Sequence, residues 1–284
     1  MSKTIRIGHY LTIAVFISLL TITGCGPKQV SQKMITDECT PSNLEIKSND
    51  GLLSLKWDTN CSSDKIISGY YIYLQEKPIK EEHLAAYPPK SIKPFNLAPY
   101  PGDTDPEDRF ETMDIQNLEN GIEYYLSVRT VFPDKTLSVS SNQVAVICRP
   151  EGEFELAFRY AAQNDGFSFA DGEPVRADSD RNDLYFYSKD GFDFIASPER
   201  LNGFLRKSSF YSLGKTDDIY QYPALELEYE GVEKIPAIIG ESYLLKTADG
   251  RFVKIRIEEA TGEKNSRVLR ISYIYQTIPE LQRF

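Results

Sequence analysis

The chain has 284 residues, of which 41% are hydrophobic, 12% aromatic and 26% charged, and its formal net charge is −10. This composition excludes general disorder, since disordered chains are poor in aromatic residues, and at about 150 residues per domain it predicts two domains. The negative charge also argues against nucleic acid as a partner, because a surface that contacts many phosphates is basic and no run of Lys or Arg compensates here.

The first 25 residues have the plan of a secretory signal. Lys3 and Arg6 precede an apolar run of 13 residues, Tyr10 to Ile22, which small residues follow. That run is too short to cross a bilayer, which takes about 20 apolar residues. We therefore predict that residues 1–24 are a signal peptide. Its removal takes away Lys3 and Arg6 and no acid, so the mature charge is (32 − 2) − 42 = −12.

The end of this segment, Ile22-Thr23-Gly24-Cys25, resembles the lipobox of bacterial lipoproteins. The resemblance implies that Cys25 is acylated, becomes the first mature residue and holds the protein on a membrane of the bacterial cell envelope. Gly26 follows where an aspartate would favour retention at the inner membrane, so the outer membrane is expected if the source has one. Residues 25–37 are polar and predict a tether, which if flexible would span roughly 20 Å.

From about residue 38 the apolar residues recur with a period of two, which is typical of half-buried antiparallel strands. Turn formers such as Asn49-Asp50-Gly51 separate the runs. The pattern predicts an all-β fold that begins with a β-sandwich. The alternating runs are Leu53/Leu55/Trp57, Tyr70/Ile72/Leu74, Leu126/Val128/Thr130 and Val144/Val146/Cys148.

These residues resemble the immunoglobulin-like fibronectin type III module over residues 38–149. Leu118, Gly121 and Tyr124 stand at the spacing of its tyrosine corner, in which a tyrosine hydroxyl bonds back to the backbone. Trp57 takes the place of its core tryptophan, and Tyr70 lies in its third strand. The resemblance implies that Trp57, Tyr70, Leu118 and Tyr124 belong to the core of this domain.

Three cysteines remain once Cys25 carries lipid, and the sequence alone allows three pairings of them. The fibronectin-like topology implies that Cys39 and Cys61 lie at one pole of the sandwich and Cys148 at the other. It therefore predicts a Cys39–Cys61 disulfide in an oxidising compartment. Cys148 is expected to be a buried free thiol.

Residues 75–110 interrupt the strand pattern with seven prolines and predict a surface insertion, which is either functional or disordered. His83 lies in it and is the only histidine left after signal removal. One histidine cannot build a histidine-based triad or a two-histidine metal site, so a solvated loop residue is expected.

Residues 150–284 predict a second β-rich domain, with hairpin turns at Lys189-Asp190-Gly191 and Ala248-Asp249-Gly250. Phe154 to Ala162 fits a strand or a helix. The three closing strands faintly resemble the HmuY-like haem-binding lipoproteins. Members that hold haem use histidines, however, and none lies between Leu84 and Phe284, so haem binding by that route is not expected.

Two acidic stretches raise the question of calcium, and the looser of them is Asp103-Thr104-Asp105-Pro106-Glu107-Asp108. Asp178, Asp180 and Asn182 alternate like the opening of an EF-hand loop, but position twelve is Lys189 instead of a glutamate. A solvated turn is the favoured interpretation and a calcium site the alternative. No other cofactor is predicted.

Three functions remain open. The favoured hypothesis is a lipid-anchored binding or assembly module of the cell envelope, with a protein or glycan partner and no catalysis. A carboxylate-based enzyme acting on glycans is the first alternative, because paired Asp and Glu suffice for that chemistry. A structural spacer that holds a partner away from the membrane is the second.

Overall fold

A computed structural model describes residues 34–62, 65–102, 109–159, 164–200, 206–222 and 230–284. From Met34 onward the chain forms one compact unit. The predicted signal peptide, Cys25 and the acidic stretch at residues 103–108 lie outside the described residues. None of the helices in the described ranges has the length and apolar character needed to cross a membrane.

The first half is a sandwich of two sheets. Its strands are β1 Ile35–Thr36, β2 Ser42–Asn49, β3 Leu52–Asp58, β4 Gly69–Gln75, β5 Phe110–Gln116, β6 Glu123–Val131, β7 Leu137–Ser138 and β8 Val144–Ile147. One sheet has the order β2-β3-β5, and the other has the order β1-β7-β6-β4, with β8 also paired to β6. The pairs are antiparallel except for the short parallel pair of β1 and β7. This is the predicted fibronectin-like arrangement.

The core of this half follows from the two-residue period, since alternate side chains of a strand point to one face. Trp57 is fully buried and its ring meets that of Tyr70 edge to face, with 5.2 Å between centroids. The tyrosine corner is present: the backbone N–H of Glu119 donates to the hydroxyl of Tyr124 at 3.2 Å. Leu118 packs against the same core.

The cysteines pair as the topology implied. Cys39 and Cys61 form a disulfide with a Cα–Cα distance of 4.3 Å, and Cys148 is free and buried at the opposite end of the sandwich. The bridge fixes the segment before β2 to the segment after β3. The first described residues of the chain are therefore held covalently to the sandwich.

The described part of the proline-rich insertion packs against the sandwich. It contains helix α1, Glu81–Ala85, which carries a part-buried His83 instead of a loop histidine. The buried guanidinium of Arg129 donates to the carbonyls of His83, Leu84 and Ala86 at 2.6–3.0 Å. Further along, the Asn96 side chain accepts from the N–H of Ile72 and donates to the carbonyl of Tyr70. The insertion thus covers the free edge of β4.

The second half is also all-β, with two five-stranded sheets of order β11-β10-β12-β13-β15 and β14-β16-β17-β18-β9. Both predicted hairpins are present, as β12–β13 and β16–β17. Its strands are β9 Glu151–Ala157, β10 Gly166–Ser168, β11 Glu173–Val175, β12 Leu184–Lys189, β13 Phe192–Ala196, β14 Ser209–Lys215, β15 Lys234–Pro236, β16 Glu241–Lys246, β17 Phe252–Thr261 and β18 Val268–Tyr275.

Strand β9 settles the choice between strand and helix for residues 154–157, whereas residues 160–162 of the same segment lie outside the described ones. Phe154 and Leu156 alternate into the core while Glu153 and Glu155 face away, and β18 pairs with the strand along its length. Phe154 stacks on Phe167 with ring centroids 3.9 Å apart. The local sequence pattern fits both a strand and a helix, so it is the pairing with β18 and the packing of the rings that make this segment a strand.

Candidate functional site

The two halves meet where β8 ends at Ile147 and β9 begins at Glu151. Ser48 of β2 joins them: its hydroxyl lies 3.0 Å from the carbonyl of Ile147 and 2.8 Å from that of Arg149, and it accepts the N–H of Arg149 at 2.7 Å. With three residues between the strands and a buried serine bound to that link, the junction has little freedom to bend.

A cleft of about 480 Å³ opens at this junction. The first half contributes the ends of β2 and β3, and the second half contributes β9, β18 and the segment around residue 220. The volume suits a small polar ligand or one or two units of a larger one. Residues that line it and carry the polar groups are Lys47, Asn49, Ser54, Glu151, Glu153, Tyr220, Ser272 and Tyr273.

Glu151 lies at the base of this cleft. Its Oε1 accepts the Tyr220 hydroxyl at 3.3 Å and the Ser48 N–H at 3.4 Å, and its Oε2 lies 3.9 Å from Nε of Arg149. Burial raises the pKa of this carboxyl above its usual range, although the charge of Arg149 opposes the shift. Glu151 is therefore an acid whose proton is held more tightly than usual.

The Tyr220 side chain is 57% exposed, so its ring is open to solvent while its hydroxyl is bound to Glu151. Burial of that hydroxyl and the nearby charge of Glu151 raise the pKa of Tyr220 to about 12. The hydroxyl is therefore neutral and a donor near neutral pH. An exposed ring with a fixed polar end suits contact with a ligand that has both apolar and polar faces.

Two buried cations lie behind the cleft. Arg149 is 5% exposed, and its Nε and Nη1 have no hydrogen-bond partner among the described residues. Lys254 is fully buried and donates from Nζ to the carbonyls of Gln221 and Tyr222 at 2.9 and 3.0 Å. Burial, reinforced by the charge of Arg149, lowers the pKa of Lys254 to about 8.

The sandwich residues predicted from the sequence lie elsewhere. Trp57, Tyr70, Leu118 and Tyr124 form part of the core of the first half and do not line the cleft. Their role in the structure is packing. Cys25 lies outside the described residues.

The structure does not bring the calcium candidates together. Asp178 is bound by Arg176 at 2.7 and 2.9 Å, whereas Asn182 is fully buried and its Oδ1 accepts the N–H groups of Phe167 and Leu184. Asp180 lies exposed on the turn between them. Within the described ranges, no three His, Cys, Asp or Glu side chains are grouped so as to hold a metal ion.

Sequence reasoning missed the cleft because its residues lie far apart in the chain, from Lys47 to Tyr273. One signal was available. Arg149 and Glu151 are opposite charges two residues apart at a predicted domain boundary, and charged residues are rarely buried unless they are paired. Tyr220, by contrast, has no sequence feature that separates it from the other tyrosines of the second half.

A second hollow, of about 360 Å³, lies at the tip of the β12–β13 hairpin. Two carboxylates line it, and one of them, Asp193, is already bound by Arg267 and by the hydroxyl of Ser188. The junction cleft, by contrast, combines an open tyrosine ring with donors and acceptors from both halves. The junction is therefore the stronger candidate.

No protein-family profile matches the chain, and no curated protein matches it. Solved structures similar to part of it include the sixth fibronectin type III domain of human fibronectin type III domain containing protein 3. That similarity has 16% identity and a TM-score of 0.28, and covers 41% of this chain and 89% of the domain. A myokine structure is similar at 14% identity and a TM-score of 0.24, over 40% of this chain and 98% of its own.

The twitchin kinase region of C. elegans is similar at 12% identity and a TM-score of 0.28, over 85% of this chain and 39% of that one. Similarity at this level transfers no activity. The all-β fold with its fibronectin-like first sandwich rests on the strand order of the protein itself.

Proposed function

We propose that the protein is a lipid-anchored binding module of the bacterial cell envelope, and that the junction cleft is its ligand site. The cleft carries the proposal, because it unites an exposed tyrosine ring with acceptors and donors from both halves. The lipobox resemblance supports the anchor, and Gly26 favours the outer membrane.

A glycan is the favoured ligand class. Sugars present hydroxyls that need both donors and acceptors, together with C–H faces that pack on aromatic rings. Tyr220 supplies an open ring in the cleft, and Glu151, Glu153 and Asn49 supply acceptors. A protein partner at the same cleft would use the same groups. Binding of soluble glycan fragments distinguishes a glycan ligand from a protein partner.

The anchor is tested by Cys25→Ser. Only the thiol can accept the lipid, so the variant should lose palmitate label and leave the detergent phase. Unchanged labelling and partitioning in the variant would contradict the lipoprotein proposal.

The cleft is tested by binding of soluble cell-wall glycan fragments to the chain. Tyr220→Ala should weaken binding about tenfold, equivalent to about 1.4 kcal/mol. Tyr222→Ala is the matched control, because Tyr222 is also exposed but does not line the cleft. Equal binding by both variants would place the ligand elsewhere. If no fragment binds but a cross-linker at residue 220 captures an envelope protein, the partner is a protein.

A glycan-acting enzyme is the second candidate, and one observation favours it. Glu151 and Glu153 lie two residues apart on β9, so both side chains extend from the same face of the strand and their Cα atoms are about 6.7 Å apart. A backbone spacing of this order allows the separation of about 6.5–9.5 Å that inverting glycosidases keep between their carboxyl groups. The raised pKa of Glu151 suits a general acid, while Glu153 is more exposed and bound by Arg270 at 3.1 Å.

Release of reducing ends from envelope polysaccharides decides between enzyme and binder. An enzyme should lose activity in Glu151→Gln while still binding its substrate. If the unchanged protein binds the polysaccharide but releases no reducing ends, the result supports the binding module and contradicts the enzyme. A spacer would neither bind nor hydrolyse at this cleft.

A further inference from the structure

The end of the first sandwich from which the chain leads back to Cys25 carries unusually exposed apolar side chains. Among the described residues, Leu97 is 100% exposed, Ile66 77% and Met34 65%, three of the four most exposed large hydrophobic residues. The fourth, Phe192, lies in the second half. Scattered single exposures are ordinary, but a group at one end requires an explanation.

Backbone pairing places Met34, beside β1, and Ile66, before β4, at the same end of the sheet. Val131, the last residue of β6, pairs with Gly69 on one side and Leu137 on the other. The carbonyl of Met34 accepts the N–H of Leu137, and the N–H of Ser68, two residues after Ile66, donates to Val131. We call Met34, Ile66 and Leu97 the anchor-side pole.

Leu97 lies on the β4 edge beside this end and is held there. Asn96 donates to the carbonyls of Tyr70 and Ala98 at 2.9 and 2.7 Å, and Tyr70 and Tyr100 exchange two backbone bonds. The chain on both sides of Leu97 is therefore fixed to β4. Its side chain is presented to solvent by an ordered backbone, without the entropy cost of ordering a loose loop.

The length of chain before Met34 identifies what this pole meets. Cys25 and Met34 are nine residues apart, and nine residues span at most about 30 Å when fully extended. If Cys25 carries the proposed lipid, the pole never leaves the neighbourhood of the bilayer. This short tether keeps the local lipid concentration high, so that even weak insertion is populated.

We propose that the anchor-side pole rests on the bilayer, with Leu97, Ile66 and Met34 entering the interface between headgroups and acyl chains. The charges near the pole are mixed, since Lys65 is paired with Glu38 at 3.0 Å. Contact therefore depends on burial of apolar surface and changes little with salt or with anionic lipid. This inference rests on the proposed lipid anchor.

The contact would also fix the height of the candidate site. The second half leaves the sandwich at the opposite end, where β8 pairs with the beginning of β6. From Glu123 to Val131, β6 rises about 27 Å. The junction cleft would then be held about 30 Å above the lipid, in reach of a ligand outside the bilayer.

The test uses mature lipidated protein in vesicles of phosphatidylethanolamine and phosphatidylglycerol, with tryptophan reporters. Leu97→Trp and Ile66→Trp should be quenched roughly twofold when the lipids carry brominated chains, as expected for rings at the interface. Phe192→Trp is the matched control, since Phe192 is similarly exposed but lies in the second half. The native Trp57 is fully buried, and its signal is subtracted with the unchanged protein.

Flotation of the vesicles separates the possible failures. The protein could float with the lipid while both pole reporters stay as unquenched as Phe192→Trp. That result would contradict the contact of the pole with the bilayer but not the lipid anchor. Protein that does not float would overturn both. A blue-shifted but unquenched Leu97→Trp would mean that a second copy or another protein covers the pole, which also contradicts the proposal.

Discussion

The two halves are both all-β, but their cores are built differently. In the first half, the buried cluster of 11 described residues centres on Trp57, and a disulfide and a tyrosine corner supplement it. In the second half, the main cluster has 17 described residues, most of them aliphatic or phenylalanine, and no disulfide lies in its described part. A small core depends on a few individual contacts, whereas a larger core distributes its stability over many.

The largest expected loss of stability comes from a substitution at the centre of the first core. Trp57→Ala should lower the free energy of unfolding by about 3–5 kcal/mol, because it removes a fully buried ring and leaves a cavity. Denaturant melts followed by circular dichroism measure the change. Leu97→Ala, at a fully exposed position, is the control and should lie within about 0.5 kcal/mol of the unchanged protein.

A parallel change in the second half sharpens this result. Phe186→Ala also empties a fully buried position. If Trp57→Ala and Phe186→Ala shift a single shared transition equally, the halves unfold as one cooperative unit. A separate early transition in Trp57→Ala alone would show that the first half unfolds independently.

Loss of the disulfide should have the next largest effect. Cys39→Ser should cost about 3 kcal/mol, because the bridge closes a loop with a sequence separation of 22 and so restricts the unfolded chain. Non-reducing peptide mapping should recover one cross-linked pair, with Cys148 alkylated only after unfolding. Recovery of Cys148 in a disulfide would contradict the strand order.

Lys254 allows the second half to be tested by pH. Its folded pKa of about 8 is lower than its ordinary value of 10.5, so between pH 8 and 10 the unfolded chain binds more protons than the folded one. Stability contributed through Lys254 therefore rises with pH across that window, by about 2–3 kcal/mol. Below pH 8 both states hold the proton and the cost of burying the charge is fully present.

Lys254→Met is the matched variant, because it keeps the length of the side chain and removes the charge. Urea melts of the unchanged protein should show the rise in stability between pH 8 and 10, and those of Lys254→Met should lack it. Two charged groups bear on the Lys254 amine, Arg149 and Asp218. An identical pH profile in both proteins would mean that Lys254 keeps its ordinary pKa.

Asn182 distinguishes a structural turn from a calcium site. Its amide makes three bonds to backbone groups, so Asn182→Ala should cost about 2 kcal/mol by leaving buried partners unpaired. Asp180→Ala, at an exposed position, should change little. Since backbone bonds hold the turn, neither calcium nor a chelator should shift the melting temperature of the unchanged protein. A calcium-dependent shift would instead support the calcium-site interpretation.

The sequence predicted features whose determinants lie close together in the chain. The tyrosine corner needs only Leu118, Gly121 and Tyr124 at fixed spacing, and the strand alternation is equally local. The junction cleft is different, because Ser48, Glu151 and Tyr220 meet only through the packing of the two halves. Asn182 shows a further limit: alternating oxygens suggest a metal ligand, but burial decides that its amide bonds to the backbone.

The smallest expected effect concerns the tyrosine corner itself. Tyr124→Phe keeps the ring and removes the hydroxyl that accepts the Glu119 N–H at 3.2 Å, so the loss should be about 1 kcal/mol. Urea melts can resolve a difference of this size when the two proteins have the same slope. Tyr125→Phe is the control, since that hydroxyl donates to a carboxylate, Glu123, at the surface. The stability lost in Tyr125→Phe should be smaller, because solvent can replace that hydrogen bond. Equal stability of Tyr124→Phe and the unchanged protein would mean that the spacing of the corner reflects ring packing alone, and that the motif by which the first half resembles the fibronectin type III module adds no stability through its hydrogen bond.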